Sequence, residues 1–342
     1  MLIKNSRHRL QRIWWIGLPL LLLMSIISIK FGIVNLSWID FSNALLEPKS
    51  TEIHTTLLWD IRIPRTLTSM IASALLALSG LVMQSLFRNP LAGPSILGVT
   101  SGSSLGVALV TLAASAFGWQ IEGAVQQGAI PFAAFIGAMG VLSVVLMVSK
   151  RMADHQSLLI FGVMLGYFTS ALITTFQYKA NADTIRSYVL WGMGSFSEVQ
   201  HTTLVVLCIV LIATYWLIRR EAMAMNCYLL GDAYATTMGH DIQSMRWRLI
   251  GICGLQVGLV TAFCGPIAFI GLTVPIITRI MLRTSDHRYN VSAVVIVGML
   301  VGILSDQMSI WLSLPLNAIT AALGAPMILW LLLKNRTSQL SL

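Results

Sequence analysis

Two uncharged stretches, residues 66–83 and Val99–Ile121, frame a short break that reads Arg88-Asn89-Pro90. An apolar run of this length crosses a bilayer as a helix, because lipid offers no partner to an open backbone. The break between the runs is then a tight turn at a membrane face. Asn-Pro starts the turn, and Pro94 suits the first turn of the helix that follows. The pattern repeats along the chain. Apolar runs near 13–32, 66–87, 94–116, 126–149, 157–178, 203–218, 247–264, 268–282, 291–310 and 317–333 predict an all-α polytopic membrane protein of about ten transmembrane helices. No polar linker divides the 342 residues, so 1–342 is expected to form one bundle and one domain. The eighth run is short, and Gly265-Pro266 with Pro275 predicts a broken or tilted span covered by protein.

Charge orients this array. Lys and Arg number 22 against 13 Asp and Glu, a formal net charge of +9. Such an excess suits either nucleic acid or the positive-inside bias of membrane proteins. Threading from an inside N-terminus places sixteen of the 22 basic residues in or beside inside loops and tails, and only Lys30, Lys49, Arg62, Arg65, Lys179 and Arg186 outside. The asymmetry predicts cytoplasmic termini and removes nucleic acid as a partner. Lys4, Arg7, Arg9 and Arg12 ahead of Ile13–Ile29 look like the start of a signal peptide. No small-residue cleavage site follows, so the segment is expected to stay as the first span.

The absences narrow the chemistry. The dipeptide Gly-Lys does not occur, so the chain has no phosphate-cradling P-loop. No paired carboxylates lie within a span, which argues against a membrane enzyme and predicts no catalytic residue. The six histidines are scattered, and Cys208, Cys227, Cys253 and Cys264 lack metal-ligand spacing, so no metal or other cofactor is expected. An ion-coupled secondary transporter, the rival reading, needs an acid at membrane depth, and Asp306 is the one candidate. Glycines four apart (Gly98-Gly102-Gly106, Gly162-Gly166, Gly254-Gly258, Gly298-Gly302) predict closely packed helix faces.

The most specific local pattern lies in the inside loop of about 226–246, which contains Leu230-Gly231-Asp232-Ala233-Tyr234-Ala235-Thr236-Thr237-Met238-Gly239-His240. Asp232 is a good N-cap, Gly231 a permissive turn and Gly239 a helix stop, so a short helix is expected near 232–238. With Arg62-Ile63-Pro64-Arg65 and Arg88-Asn89-Pro90-Leu91-Ala92, this loop resembles one family. That family is the FecCD-type permease of bacterial ABC importers for ferric siderophores, haem and cobalamin. Gly265-Pro266-Ile267-Ala268-Phe269 and Trp191-Gly192-Met193-Gly194-Ser195-Phe196 extend the resemblance from about Trp59 to Leu333.

The resemblance implies partners and roles. Gly231, Asp232, Ala235 and Gly239 would form the loop that docks on an ATPase subunit, where ATP and magnesium are used. Arg62 and Arg65 would meet acidic groups of a periplasmic or lipid-anchored binding protein. Arg88, Asn89, Pro90, Gly265 and Pro266 would form turns that take part in gating. Two such permeases, as a homodimer or heterodimer, would form the pathway at their interface, with two ATP-binding subunits docked on the inside. Ferric siderophore is the expected cargo, with haem or cobalamin as the alternative. The sequence departs from the family at His240, usually apolar, at Ile276, usually histidine, and after Asp306, where a third docking arginine is missing.

Overall fold

The computed structural model of the chain describes residues 2–32, 34, 36–48, 52–116, 123–149 and 155–339, which form helices and turns with no strand among them. In chain order the helices are α1 (Leu2–Lys30), α2 (Trp38–Leu46), α3 (Ile53–Thr56), α4 (Ile63–Leu86), α5 (Val99–Ala108), α6 (Ala114–Ala116), α7 (Gly123–Ser149) and α8 (His155–Lys179). There follow α9 (Ala182–Gly192), α10 (His201–Leu229), α11 (Asp232–Thr237), α12 (Ile242–Cys264), α13 (Ile270–Leu282), α14 (His287–Leu312) and α15 (Leu316–Gln339). π-Helical turns at Leu57–Arg62 and Leu109–Ala113 join α3 to α4 and α5 to α6 as continuous rods.

Eight rods are long and apolar enough to cross a membrane, and α13 and Leu316–Trp330 of α15 are shorter apolar helices. Together they match the ten runs of the sequence. Three boundaries differ most, the first being α1, which begins at Leu2 and not at the expected 13. The second rod begins at Ile53, so Arg62 and Arg65 lie within a helix and not in the loop before it. The sixth was expected to end at 218, yet α10 runs to Leu229. Arg219, Arg220, Glu221, Ala222 and Met223 are good helix formers. Charge ends an apolar run there without ending the helix.

Every residue of α4 from Ile71 to Leu86 is buried, and α4 packs against α10, α12, α13 and α14. Small residues permit this. A Cβ added at Gly80 would lie 1.5 Å from the Gly271 carbonyl oxygen, so α4 and α13 touch backbone to backbone. Glycines of the spaced series do the same elsewhere: a Cβ at Gly302 would lie 2.2 Å from the Ser69 carbonyl and one at Gly106 2.1 Å from that of Ala133. The periphery is apolar in the opposite sense, with Phe168, Ile209 and Trp216 turned outward. Contacts between helix ends define two faces. One carries the start of α1 and the ends of α4, α10 and α13; the other carries the end of α1 and the starts of α4 and α15.

Candidate functional site

Segments remote in sequence converge on the face where α1 begins. The end of α4 is the first. Arg88 N–H donates to Ser85 O at 3.2 Å and Asn89 N–H to Gln84 O at 3.1 Å, the paired closure that ends many helices. The left-handed position of that closure usually holds glycine, and here it holds Arg88 at φ +46. A side chain there costs about 1–2 kcal/mol. The guanidinium offsets it: Nη2 donates to the Tyr228 carbonyl at 2.7 Å and to the Asp232 carboxylate, and the group lies 4.3 Å from the centre of the Tyr228 ring. Tyr228 answers by donating its hydroxyl to Leu86 O at 3.1 Å. Asn89 and Pro90 complete the turn, with Asn89 Oδ1 accepting from Leu91 N–H at 2.9 Å.

The short helix α11 spans Asp232–Thr237, close to the expected 232–238. Asp232 is not its N-cap. Gly231 takes that position at φ +126, open to glycine alone. The Asp232 carboxylate accepts from Arg88. The other end behaves as expected. Gly239 at φ +83 follows the helix, its N–H donates to Thr236 O at 2.9 Å, and His240 N–H donates to Ala235 O at 3.1 Å. Ala235 is buried against the bundle, whereas Leu230, Tyr234 and Met238 face outward.

A second clasp adjoins the first. Asp286 N-caps α14 by accepting from Arg288 N–H at 2.9 Å, and Asn226 Nδ2 donates to its carboxylate at 2.7 Å. Asn226 Oδ1 accepts from His287 N–H at 2.9 Å and lies 2.8 Å from Nδ1 of the same ring. An amide oxygen only accepts, so Nδ1 carries the proton and Nε2 accepts from Ser85 of α4. Burial pushes the Asp286 carboxyl up, but hydrogen bonds from Arg288 and Asn226 overcome this and hold it below the usual carboxylate range. Hydrogen bonds from Ser244 likewise hold the Asp241 carboxyl low at the start of α12. The ends of α4 and α10, the start of α14 and the helix α11 are therefore one braced unit.

The opposite face holds the other expected residues. Gly265 turns at φ +69, where a Cβ would meet the Trp191 carbonyl at 2.5 Å. Asn317 ties the turn together: Nδ2 donates to Pro266 O at 2.7 Å and Gly192 O at 3.2 Å, while Oδ1 accepts from Ala268 N–H at 3.0 Å. Arg62 is buried and donates to the carbonyls of Ile29, Lys30 and Val34 where α1 ends. Its guanidinium closes a helix terminus and does not point to solvent. Arg65 is held in two-pronged fashion by Asp306, Nε lying 3.0 Å from each carboxylate oxygen. Asn226, Tyr228, His287 and Asn317 were not foreseen; of these only Asp286-His287 ahead of an apolar run carried a visible capping signal. Among the described residues no cluster of three His, Cys, Asp or Glu is placed to hold a metal ion.

Helices long and apolar enough to cross a membrane, packed through glycine and with a short helix braced on one face, define a polytopic membrane protein. The chain belongs to the FecCD transport family, whose model matches residues 20–334, and with it to the permeases of ABC importers. It is 33% identical over 342 residues to the vitamin B12 import system permease protein BtuC of Klebsiella pneumoniae subsp. pneumoniae, covering 98% of this chain and 97% of that one. The protein of that name from Citrobacter koseri is 35% identical over 282 residues, 81% of this chain and 83% of the relative. A solved transporter assigned to the metal-chelate ABC type, in an inward-facing conformation, superposes with a TM-score of 0.81 at 27% identity, covering 95% and 99% of the two chains. PsaBC from Streptococcus pneumoniae shares the fold at a TM-score of 0.55 and 13% identity, over 84% of this chain and 94% of that one.

Proposed function

We propose that this chain is the permease subunit of an importer for cobalamin, working by ATP-driven alternating access with separate ATPase and binding-protein subunits. The observation that carries the cargo is the match, along nearly the whole chain, to permeases named for vitamin B12 import. This replaces ferric siderophore as the preferred cargo; siderophore is the rival that the test must exclude. The termini and α11 lie on the cytoplasmic side, where the basic residues concentrate.

In this reading α11 docks in the ATPase through Leu230, Tyr234 and Met238, and Gly231, Asp232, Ala235 and Gly239 give it shape and seat. ATP-driven displacement of α11 reaches α4 through Arg88 and α14 through Asn226, so Arg88, Asn89 and Pro90 transmit motion and do not merely turn the chain. Gly265 and Pro266, pinned by Asn317, form the stiff turn on the periplasmic side. The binding protein meets that side around Arg65, with Arg62 supporting the surface from beneath. A second permease, a copy or a close relative, completes the pathway. Asp306 is committed to Arg65 and so is poorly suited to shuttle protons, which favours ATP as the energy source.

The test is reconstitution of the chain with the ATPase and binding protein encoded beside it, followed by uptake of labelled cobalamin and of a labelled ferric siderophore. ATP-dependent accumulation of cobalamin alone is expected. Uptake of the siderophore alone would overturn the cargo, and uptake without the ATPase would overturn the mechanism.

A further inference from the structure

The face where α1 begins carries a groove that transport coupling does not use. It is a cleft of about 520 Å³ between α1, the end of α13 and α14. Apolar side chains, among them Ile16, Leu20 and Leu300, line it, and Arg9, Arg12 and Arg283 stand at its rim. The floor is firm. Gly17 seats α1 so closely on α14 that a Cβ there would lie 2.7 Å from Ile296 Cγ2. Arg9 Nη1 donates to the Leu282 carbonyl at 3.2 Å, which ties α1 to the last turn of α13. Arg12 and Arg283 are exposed, and neither has a carboxylate partner among the described residues.

Depth is marked independently. Trp14 and Trp15, 40% and 80% exposed, follow two and three residues after Arg12 on the outward surface of α1. Exposed tryptophan collects at the level of lipid head groups. The arginine rim therefore lies among head groups and the apolar slot at the level of acyl chains. An acidic protein segment would match the rim but not a slot at that depth.

We propose that this groove binds an anionic phospholipid of the surrounding bilayer, its phosphate held by Arg9, Arg12 and Arg283 and an acyl chain laid along Ile16, Leu20 and Leu300. Basic pockets between spans at a membrane face recognise anionic head groups by this combination of charge and apolar wall.

The test uses the full-length chain in nanodiscs of phosphatidylcholine mixed with phosphatidylglycerol, then native mass spectrometry of the released protein to count retained lipids. Preferential retention of phosphatidylglycerol is expected. Each basic residue near an anionic surface contributes a factor of about five, so Arg12→Gln with Arg283→Gln should weaken retention about 30-fold. The matching double Lys variant should keep most of it, which separates lost charge from lost folding. Leu300→Trp, which fills the slot and leaves the arginines, should also weaken it. Arg220→Gln, an exposed arginine outside the groove, should have no effect. Unchanged retention in the double Gln variant would overturn the proposal, as would equal loss in Arg220→Gln, which means diffuse attraction. Equal thermal protection by inorganic phosphate would also overturn it, since the site would then read the free anion.

Discussion

The ion pair between Arg65 and Asp306 is asymmetric, and the asymmetry predicts an order of mutational effects. Arg65 Nη2 donates to Asp306 Oδ1 at 2.9 Å, and the two side chains are 22% and 2% exposed. Arg65→Met strands a carboxylate that cannot reach water, and breaking a buried pair in this way costs about 3–5 kcal/mol. Asp306→Leu leaves an arginine whose long stem can turn its head to the rim. The loss is then that of hydrogen bonds to a charged group, about 1.5–3 kcal/mol. Removing both side chains strands no charge. The double variant should therefore be more stable than Arg65→Met alone, with a coupling of about 1–3 kcal/mol between the two changes. Unfolding by SDS in mixed micelles, followed by tryptophan emission, measures all four proteins on one scale. Asp306→Leu costing as much as Arg65→Met, or single effects that simply add, would refute the assignment of a desolvated carboxylate held by one arginine.

Arg88→Gly relieves a left-handed side chain but removes the clasp to Asp232 and Tyr228. Stability in the same assay should change by less than about 1 kcal/mol, while ATP-driven uptake falls at least tenfold; wild-type uptake at equal expression would sink the coupling role. Gly239→Val places a β-branched residue at φ +83 and should cost about 2 kcal/mol or more locally. It is expected to abolish uptake while leaving the bundle assembled, as judged by size-exclusion elution. The Asp286 carboxyl is held below its ordinary range in the folded chain. A depressed carboxylate stabilises fully above its unfolded value of about 3.9 and loses that contribution as pH falls through its folded value. Asp286→Ala should therefore flatten the fall of the thermal midpoint on acidification below about pH 4, and an unchanged slope would contradict the assigned hydrogen bonds.

The spans were legible because lipid imposes a length and a composition that few other constraints can imitate. The helix stop at Gly239 was legible because left-handed backbone there demands glycine. Asp232 was misread as an N-cap for the same kind of reason: the rule that places aspartate ahead of a helix is local, and the guanidinium that claims its carboxylate comes from 144 residues away. Arg62 and Arg65 show the limit more sharply. Two arginines at the edge of an apolar run look solvent-facing while the run is taken to begin at 66. The π-helical turn at Leu57–Arg62 carries the helix back to Ile53 and turns one guanidinium onto the carbonyls of α1 and the other onto Asp306. The side chain of each polar residue that was missed, Asn226, Tyr228, His287 and Asn317, has partners at least 49 residues distant.

Periodicity along one helix therefore says which residues are polar and near a face, but not which other helix end they bind. That pairing follows from packing, and here the packing is set by glycines. Gly80 against Gly271 brings α4 and α13 into backbone contact, and Gly302 against Ser69 does so for α14 and α4. The neighbouring end of α4 then lies where Arg88 reaches α11, Gln84 reaches Leu272 and Ser85 reaches His287. Enlarging either glycine would separate the helices and pull those polar ends apart together. Gly302, whose spacing from Gly298 spoke only of tight packing when taken alone, thus joins Gly80 and Gly271, which lie outside that series, in assembling the coupling unit.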